Sequence, residues 1–388
     1  MWCIINYAII FKAKGCVNLI YLDYAANYPT KKMVLDYLSE VELKYIANAN
    51  SSHKLGRQAF DFVKGENDLI LKILGLSDDY EIVHTSSATE ANNLAIKGIV
   101  KSYSGFGNKV LVSELEHNSI NGCLGFLKEN GLVVDFIKTT DGRIDPIDLK
   151  NKMTNDVILV IATMLDSEVG TVEDIDGILD IVKASPNAHF LCDVTQAISK
   201  YHFDYNKLEL FSFTPHKFGG LVGTGVLVKR KSTILTPLIH GGESLSIYRS
   251  GSIPIGLISS SYMAIKLMME DFDQRVNYIK SLSDYFINEI KKINKIKINS
   301  VENLFIINLS IDGYKGYEVV DILSNNDIYI SQKSACSVKH TPSKIVLSMY
   351  NDKKRALSSF RISLSEHNKK EELDIVIDLL RRLACGAR

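Results

Sequence analysis

Between residues 81 and 228, short apolar runs of strand character alternate with stretches of helical length, and this alternation narrows the fold more than any other feature of the chain. The runs are Glu81–His84, Lys109–Val112, Val133–Ile137, Val157–Met164, His189–Asp193, Leu208–Phe213 and Gly225–Val228. Segments such as Glu90–Val100, Asn118–Asn130 and Ile175–Ala184 lie between them with helical spacing. Strands separated by helices pair in parallel, so the pattern predicts an α/β fold with a mostly parallel seven-stranded sheet covered by helices on both faces. Ligand-binding loops then collect at the carboxyl ends of the strands.

After Gly251 the pattern changes. Leu257 to Ile290 reads as one long helix, followed by shorter strands at Leu304–Ser310, Ile328–Ser331 and Ser359–Ser363 and a closing helix near Glu371–Leu383. This predicts a second, smaller α+β domain. The expected division is a large ligand-binding domain over 26–259 and a small domain built from 1–25 plus 260–388.

Composition removes several partners. Lys plus Arg number 45 and Asp plus Glu number 45, so no net field holds a polyanion, and direct nucleic-acid binding is not expected. The six cysteines, Cys3, Cys16, Cys123, Cys192, Cys336 and Cys385, form no C-x-x-C pair, which argues against a disulfide framework or a zinc site and for a reducing cytoplasm. The apolar start MWCIINYAIIF is too short to span a bilayer, and Lys12 and Lys14 follow it instead of preceding it. It reads as a packed terminal strand or an upstream start-codon artefact, with no membrane partner expected.

Three features bear on chemistry. The turn Thr85-Ser86-Ser87-Ala88-Thr89-Glu90 follows a strand and opens the helix ANNLAIKG, where free backbone amides and hydroxyls at a helix N-terminus form a phosphate cradle. Taken alone it reads as an ordinary Ser/Thr cap. Asp193 ends the strand HFLCD, with Gln196 three residues on; such a carboxylate either caps a turn or pairs with a protonated ring nitrogen. Lys217 lies between the strand LELFSF and the pair Gly219-Gly220, where an imine-forming amine belongs, although a lone lysine is more often a solvated cation. In this order on one sheet, the three are the parts required to hold pyridoxal 5'-phosphate.

The motifs TSSATEANNLAIKG, ELEHNSI, CDVTQA, SFTPHKFGG, RSGS, SACS and FRISLS resemble those of cysteine desulfurases, pyridoxal-phosphate enzymes of the class V aminotransferase group and of fold type I; the resemblance runs from about Tyr21 to Leu380. It implies removal of sulfur from L-cysteine to give L-alanine and an enzyme persulfide. Lys217 would hold the cofactor as an imine and move the substrate α-proton, Asp193 would hold the pyridinium proton, Gln196 would hydrogen-bond the phenolic oxygen, and His117 would stack on the ring. Ala88, Thr89, Thr214 and His216 would hold the phosphate, and Ser167 would contribute to the cofactor site. Ser252 matches a threonine that reaches the partner subunit's phosphate, which implies a homodimer. Arg361 would clamp the substrate carboxylate, a task suited to a planar bidentate donor. Cys336, in the polar stretch QKSACS carried by the small domain, would take the sulfur and pass it to an acceptor protein, an iron-sulfur scaffold or a transfer-RNA thiolation enzyme.

Departures from the family pattern fall beside these residues. Asp166-Ser167 stands where an asparagine pair is usual, Ser87 and Lys333 replace glycines, Thr214-Pro215 replaces Ser-Gly, and Asn27-Tyr28 replaces a threonine pair. They keep two other readings open: a related lyase or transferase acting on selenocysteine or an amino-acid sulfinate, and a catalytically weak sulfur-relay or scaffold paralogue. His84, His189 and His202 read as structural, His53 as part of a motif beside the site, and no metal site is expected.

Overall fold

The computed structural model describes residues 19–242, 244–300, 305–333 and 341–386. Its strands are β1 (Ile20–Tyr21), β2 (Tyr80–Thr85), β3 (Lys109–Ser113), β4 (Val133–Ile137), β5 (Thr139–Thr140), β6 (Arg143–Ile144), β7 (Val157–Thr163), β8 (His189–Asp193), β9 (Leu210–Phe213), β10 (Gly225–Arg230), β11 (Ile296–Ile298), β12 (Ile306–Ile311), β13 (Ile328–Tyr329) and β14 (Ser359–Ser363). Seven of them form the main sheet in the order β2-β10-β9-β8-β7-β3-β4. All neighbours run parallel except β10, which is antiparallel to both β2 and β9.

The inner strands, such as β7 and β9, are apolar along nearly their whole length because both faces are covered. Val110, Leu159, Leu191 and Leu210 belong to one apolar cluster and their successors Leu111, Val160, Cys192 and Phe211 to another, the alternation expected of a sheet buried on two sides. Helices Ala88–Ser102 and Asn118–Glu129 supply the first cluster with Ala91, Leu94, Ile120 and Leu124.

A second sheet, β11-β12-β14, is antiparallel throughout and has its own core, in which Ile279, Phe286, Leu309, Phe360 and Leu380 are buried. The sequence between 257 and 290 is not one helix. It forms Ile255–Glu270 and Phe272–Ile290, broken at Asp271, whose backbone leaves the helical region at φ −122° and ψ 22° while its carbonyl accepts the amide of Arg275. The segment at 328–331 also departs from expectation: β13 does not join the three-stranded sheet but pairs in parallel with β1, and Ser331 and Asp23 then bridge to β14 at Arg361 and Ser363. A short helix begins at Lys344, capped by the Ser343 hydroxyl on the amide of Val346.

Candidate active site

The carboxyl ends of β2, β7, β8 and β9 open onto a cavity of about 370 Å³, a size suited to a cofactor-sized ligand. Its lining contains Ala88, Thr89, His117, Ser167, Asp193, Gln196, Thr214, His216, Lys217 and Arg361, residues drawn together from positions spread over 274 places in the chain. Ser252 is not in it. Ser252 lines a separate small hollow with Arg249, Pro254 and Ile258. His53 is also elsewhere, capping helix Lys54–Ile73 through the amide of Gly56. Cys336 lies outside the described residues.

At the end of β2 the chain turns into helix Ala88–Ser102, with the Ser87 hydroxyl accepting from the amide of Glu90 at 3.2 Å. Glu90 folds back to accept from the Ser86 amide at 2.8 Å and the Ser86 hydroxyl at 2.6 Å, and also pairs with Arg249. Burial alone would raise the Glu90 pKa, but these hydrogen bonds and the arginine hold it below the usual carboxylate range. The first β10 residue must be glycine. A Cβ on Gly225 would sit 2.2 Å from the Ser87 carbonyl carbon, so only glycine lets β10 run beneath the turn.

Asp193, 5% exposed, is held by two neutral donors: Asn92 Nδ2 on Oδ2 and the Thr195 amide on Oδ1, each at 2.9 Å. Asn92 is in turn fixed by the Ser212 hydroxyl and donates to Ser119, so its orientation is determined from both sides. Each carboxylate oxygen retains a lone pair for a further donor. His117 caps helix Asn118–Glu129, and its Nδ1 faces the Ser119 amide at 3.1 Å. That contact makes Nδ1 an acceptor and leaves the ring proton on Nε2. Burial lowers the His117 pKa, with Lys217 adding to the effect against Asp193.

Lys217 ends the 3₁₀ turn Pro215–Lys217, and its Nζ donates to the carbonyls of Ala25 and Ala26 at 3.0 and 2.7 Å. Gln196 Nε2 donates to the same Ala25 carbonyl at 2.9 Å. The Thr214 hydroxyl donates to Thr224 O at 2.7 Å, so it must receive the N–H of His216 Nδ1, 2.8 Å away. Burial and the neighbouring Lys217 push the His216 pKa down to about 4, which keeps its ring neutral.

Arg361 is 1% exposed. Its Nη2 meets Asp23 Oδ1 at 2.6 Å and its Nη1 donates to Ser167 O at 2.8 Å, while the buried Nε has no partner among the described residues. Asp166 also lines the cavity, yet its Oδ1 is occupied by the amides of Glu168 and Val169 at 2.8 and 2.6 Å, and burial raises its pKa. The aspartate therefore caps its own loop. Lys333, where a glycine is usual, donates through Nζ to the carbonyl and hydroxyl of Thr341 at 2.9 and 2.7 Å.

Sequence reasoning missed Asn92, Asp23 and the two alanine carbonyls. Asn92 was the most accessible of these, standing three residues after Thr89 on the same helix face. Asp23 and the carbonyls carry no local signal.

The donor set fits pyridoxal phosphate: amides at a helix N-terminus for the phosphate, a buried carboxylate at a strand end for the ring nitrogen, and a lysine amine for the carbonyl. A family model described as Aminotransferase class-V matches residues 20–376. A protein of Dictyoglomus turgidum named cysteine desulfurase IscS is 31% identical over 372 residues, covering 94% of each chain. One of the same name from Pasteurella multocida is 33% identical over 381 residues, covering 95% of this chain and 93% of that one. Among solved structures, a NifS-like protein superposes with a TM-score of 0.87 at 23% identity, covering 95% of this chain and all of the other. A structure described as SspA in complex with cysteine gives 0.75 at 27% identity, covering 90% of this chain and all of that one.

Proposed function

The chain belongs to the class-V aminotransferase family, among its pyridoxal-phosphate-dependent cysteine desulfurases, and from that premise we propose that it takes sulfur from L-cysteine onto Cys336, releasing L-alanine. The observation that carries this reading is the convergence of Lys217, Asp193, His117 and Arg361 on one cavity. Bound pyridoxal phosphate supplies an electron sink that stabilises negative charge at the substrate α-carbon.

The chain's own residues do the rest. Lys217 Nζ, already aimed by the Ala25 and Ala26 carbonyls, is the amine that anchors the cofactor and then carries the α-proton. Asp193 holds a proton on the ring nitrogen; a carboxylate fixed by Asn92 and Thr195 does this without reorienting. His117 would stack on the ring, and Gln196 would donate to the phenolic oxygen. Ala88, Thr89, Thr214, His216 and Ser167 complete the cofactor's surroundings. Thr214 offers its backbone amide, since its hydroxyl proton is engaged by Thr224. Arg361 orients the substrate carboxylate with N–H groups not used by Asp23 and Ser167. The Cys336 thiolate takes the substrate's sulfur, leaving a persulfide on the enzyme, and passes it on to an acceptor protein, an iron-sulfur scaffold or a transfer-RNA thiolation enzyme.

The working unit in this reading is a homodimer in the cytoplasm, each chain divided into 26–259 and 1–25 plus 260–388. Support for the dimer comes from Ser252 lying off its own chain's cavity and from the exposed apolar side chains Leu43, Ile46 and Leu55 on and beside helices Lys32–Lys44 and Lys54–Ile73. Among the described residues no helix is long and apolar enough to cross a membrane.

The test is to incubate the holoenzyme with L-cysteine, without reductant, and to map added sulfur by peptide mass spectrometry. Sulfur on the Cys336 peptide, released with reductant, is the expected result. Alanine formed with no sulfur on that peptide would overturn the persulfide route and favour direct elimination.

A further inference from the structure

Lys200 is a buried amine with no carboxylate partner among the described residues. It is 8% exposed, and among the described residues no ion pair reaches it. Its Nζ donates instead to Gln196 Oε1 at 2.9 Å, to Gln196 O at 3.2 Å and to the Ser199 hydroxyl at 3.5 Å. Taking an ammonium out of water costs several kcal/mol unless its surroundings repay it. Burial, with Lys217, Arg275 and Arg361 adding positive charge and Glu366 opposing them, pulls the Lys200 pKa down to about 7. Neutral acceptors on one short turn are a poor return for that cost if Lys200 only fills space.

What the ammonium does achieve is directional. When protonated it has donors and no acceptor, so in that form it can face only the oxygen edge of the Gln196 amide, the edge its Nζ meets at 2.9 Å. The nitrogen edge must then turn the other way. One Nε2–H goes to the Ala25 carbonyl at 2.9 Å, which also receives Lys217 Nζ at 3.0 Å, and the second belongs to a side chain that lines the cavity. An amide flipped by half a turn would set two donors, Nε2 and Nζ, against each other.

We propose that Lys200 is a positioning residue that fixes the Gln196 amide with its nitrogen edge toward the cavity, presenting an N–H to the cofactor's phenolic oxygen. The proposal rests on the pyridoxal-phosphate reading given above. Lys200 touches neither cofactor nor substrate in this account; it acts through Gln196 alone.

A double-mutant cycle on cofactor binding tests it, with the dissociation constant of pyridoxal phosphate and the absorbance band of the bound cofactor as readouts. Lys200→Met is expected to weaken cofactor binding about tenfold, the worth of one oriented hydrogen bond, and to shift the band. In a Gln196→Ala background the same substitution should change binding less than about twofold, because the amide it orients is gone. Lys200→Gln, a neutral amide that can meet Gln196 with either edge, replaces Lys200→Met if the latter does not fold and must follow the same rule. Equal loss in both backgrounds would show that Lys200 acts as a charge or a packing element, and no loss with Gln196 present would show that it orients nothing; either overturns the proposal. Failure of the wild type itself to bind the cofactor would instead overturn the underlying cofactor reading.

Discussion

Arg361, which lines the cavity, and Asp23, 338 residues away in sequence, form a 2.6 Å ion pair, with the guanidinium 1% and the carboxylate 17% exposed. Ser331 Oγ donates to the other Asp23 oxygen at 2.7 Å, so the first strand segment, β13 and β14 meet at one carboxylate. Arg361 is thus held before any substrate arrives. Arg361→Lys cannot keep Asp23 and Ser167 and also clamp a carboxylate, and is expected to raise KM for cysteine roughly tenfold or more in a folded protein. Arg361→Ala leaves Asp23 unpaired and should also lower stability by about 3 kcal/mol. Steady-state kinetics and urea unfolding separate the two effects; equal stability of both variants would contradict the role given to Asp23.

Lys217 is aimed by two backbone carbonyls, so its amine is placed by the fold and not by the cofactor. Lys217→Ala should abolish the imine absorbance and reduce alanine formation by roughly a thousandfold, within the range expected for loss of a positioned proton carrier. Visible spectroscopy on the reconstituted protein checks the first part without relying on turnover.

Glu116 precedes His117 and accepts from the Thr163 amide at 2.9 Å and its hydroxyl at 2.6 Å. Burial, reinforced by Asp193 and Glu173 against the Thr163 hydrogen bonds, raises its pKa to about 8. The folded state therefore binds a proton that the unfolded state releases near pH 4.5, and stability contributed by this site falls as pH rises from about 4.5 to about 8. Glu116→Gln keeps an acceptor for the amide and removes the titration. The variant's stability relative to wild type should increase with pH across that window, with a slope of at most about 1.4 kcal/mol per pH unit. A stability difference that does not change between pH 5 and pH 8 would place the proton elsewhere.

Tyr28, where the family resemblance leads one to expect a threonine, donates its hydroxyl to Glu366 Oε1 at 2.5 Å and lies 2.9 Å from His367 Nε2. Its amide is bound to the His216 carbonyl, beside Lys217. Tyr28→Phe should cost about 1–2 kcal/mol by leaving the half-buried Glu366 carboxylate short of a donor. Thermal unfolding of the holoenzyme reads the loss, and an unchanged midpoint would count against the contact.

The central sheet was legible because its strands are apolar on both faces, and each observed strand lies within about two residues of the predicted run. The break at Asp271 was not, since apolar spacing continues across it and one residue's dihedrals end the helix. Pairing of β1 with β13 rests on two residues from each strand, too short for periodicity to register. In the cavity, side chains within recognisable motifs could be named in advance, whereas the groups that aim them could not. Asp23, the Ala25 and Ala26 carbonyls and Asn92 act through distances that only the folded chain defines. Asp166, standing where an asparagine is usual, accepts from the Glu168 and Val169 amides, a local turn contact that composition does not reveal.

Alanine release from L-cysteine in the presence of a reductant, measured for wild type and Cys336→Ala after each has been shown to bind pyridoxal phosphate, tests the persulfide route most directly. Alanine and sulfide in equal amounts are expected from the wild type and neither from Cys336→Ala. Undiminished alanine release by Cys336→Ala would contradict that route, because the sulfur would then leave without an enzyme thiol to receive it.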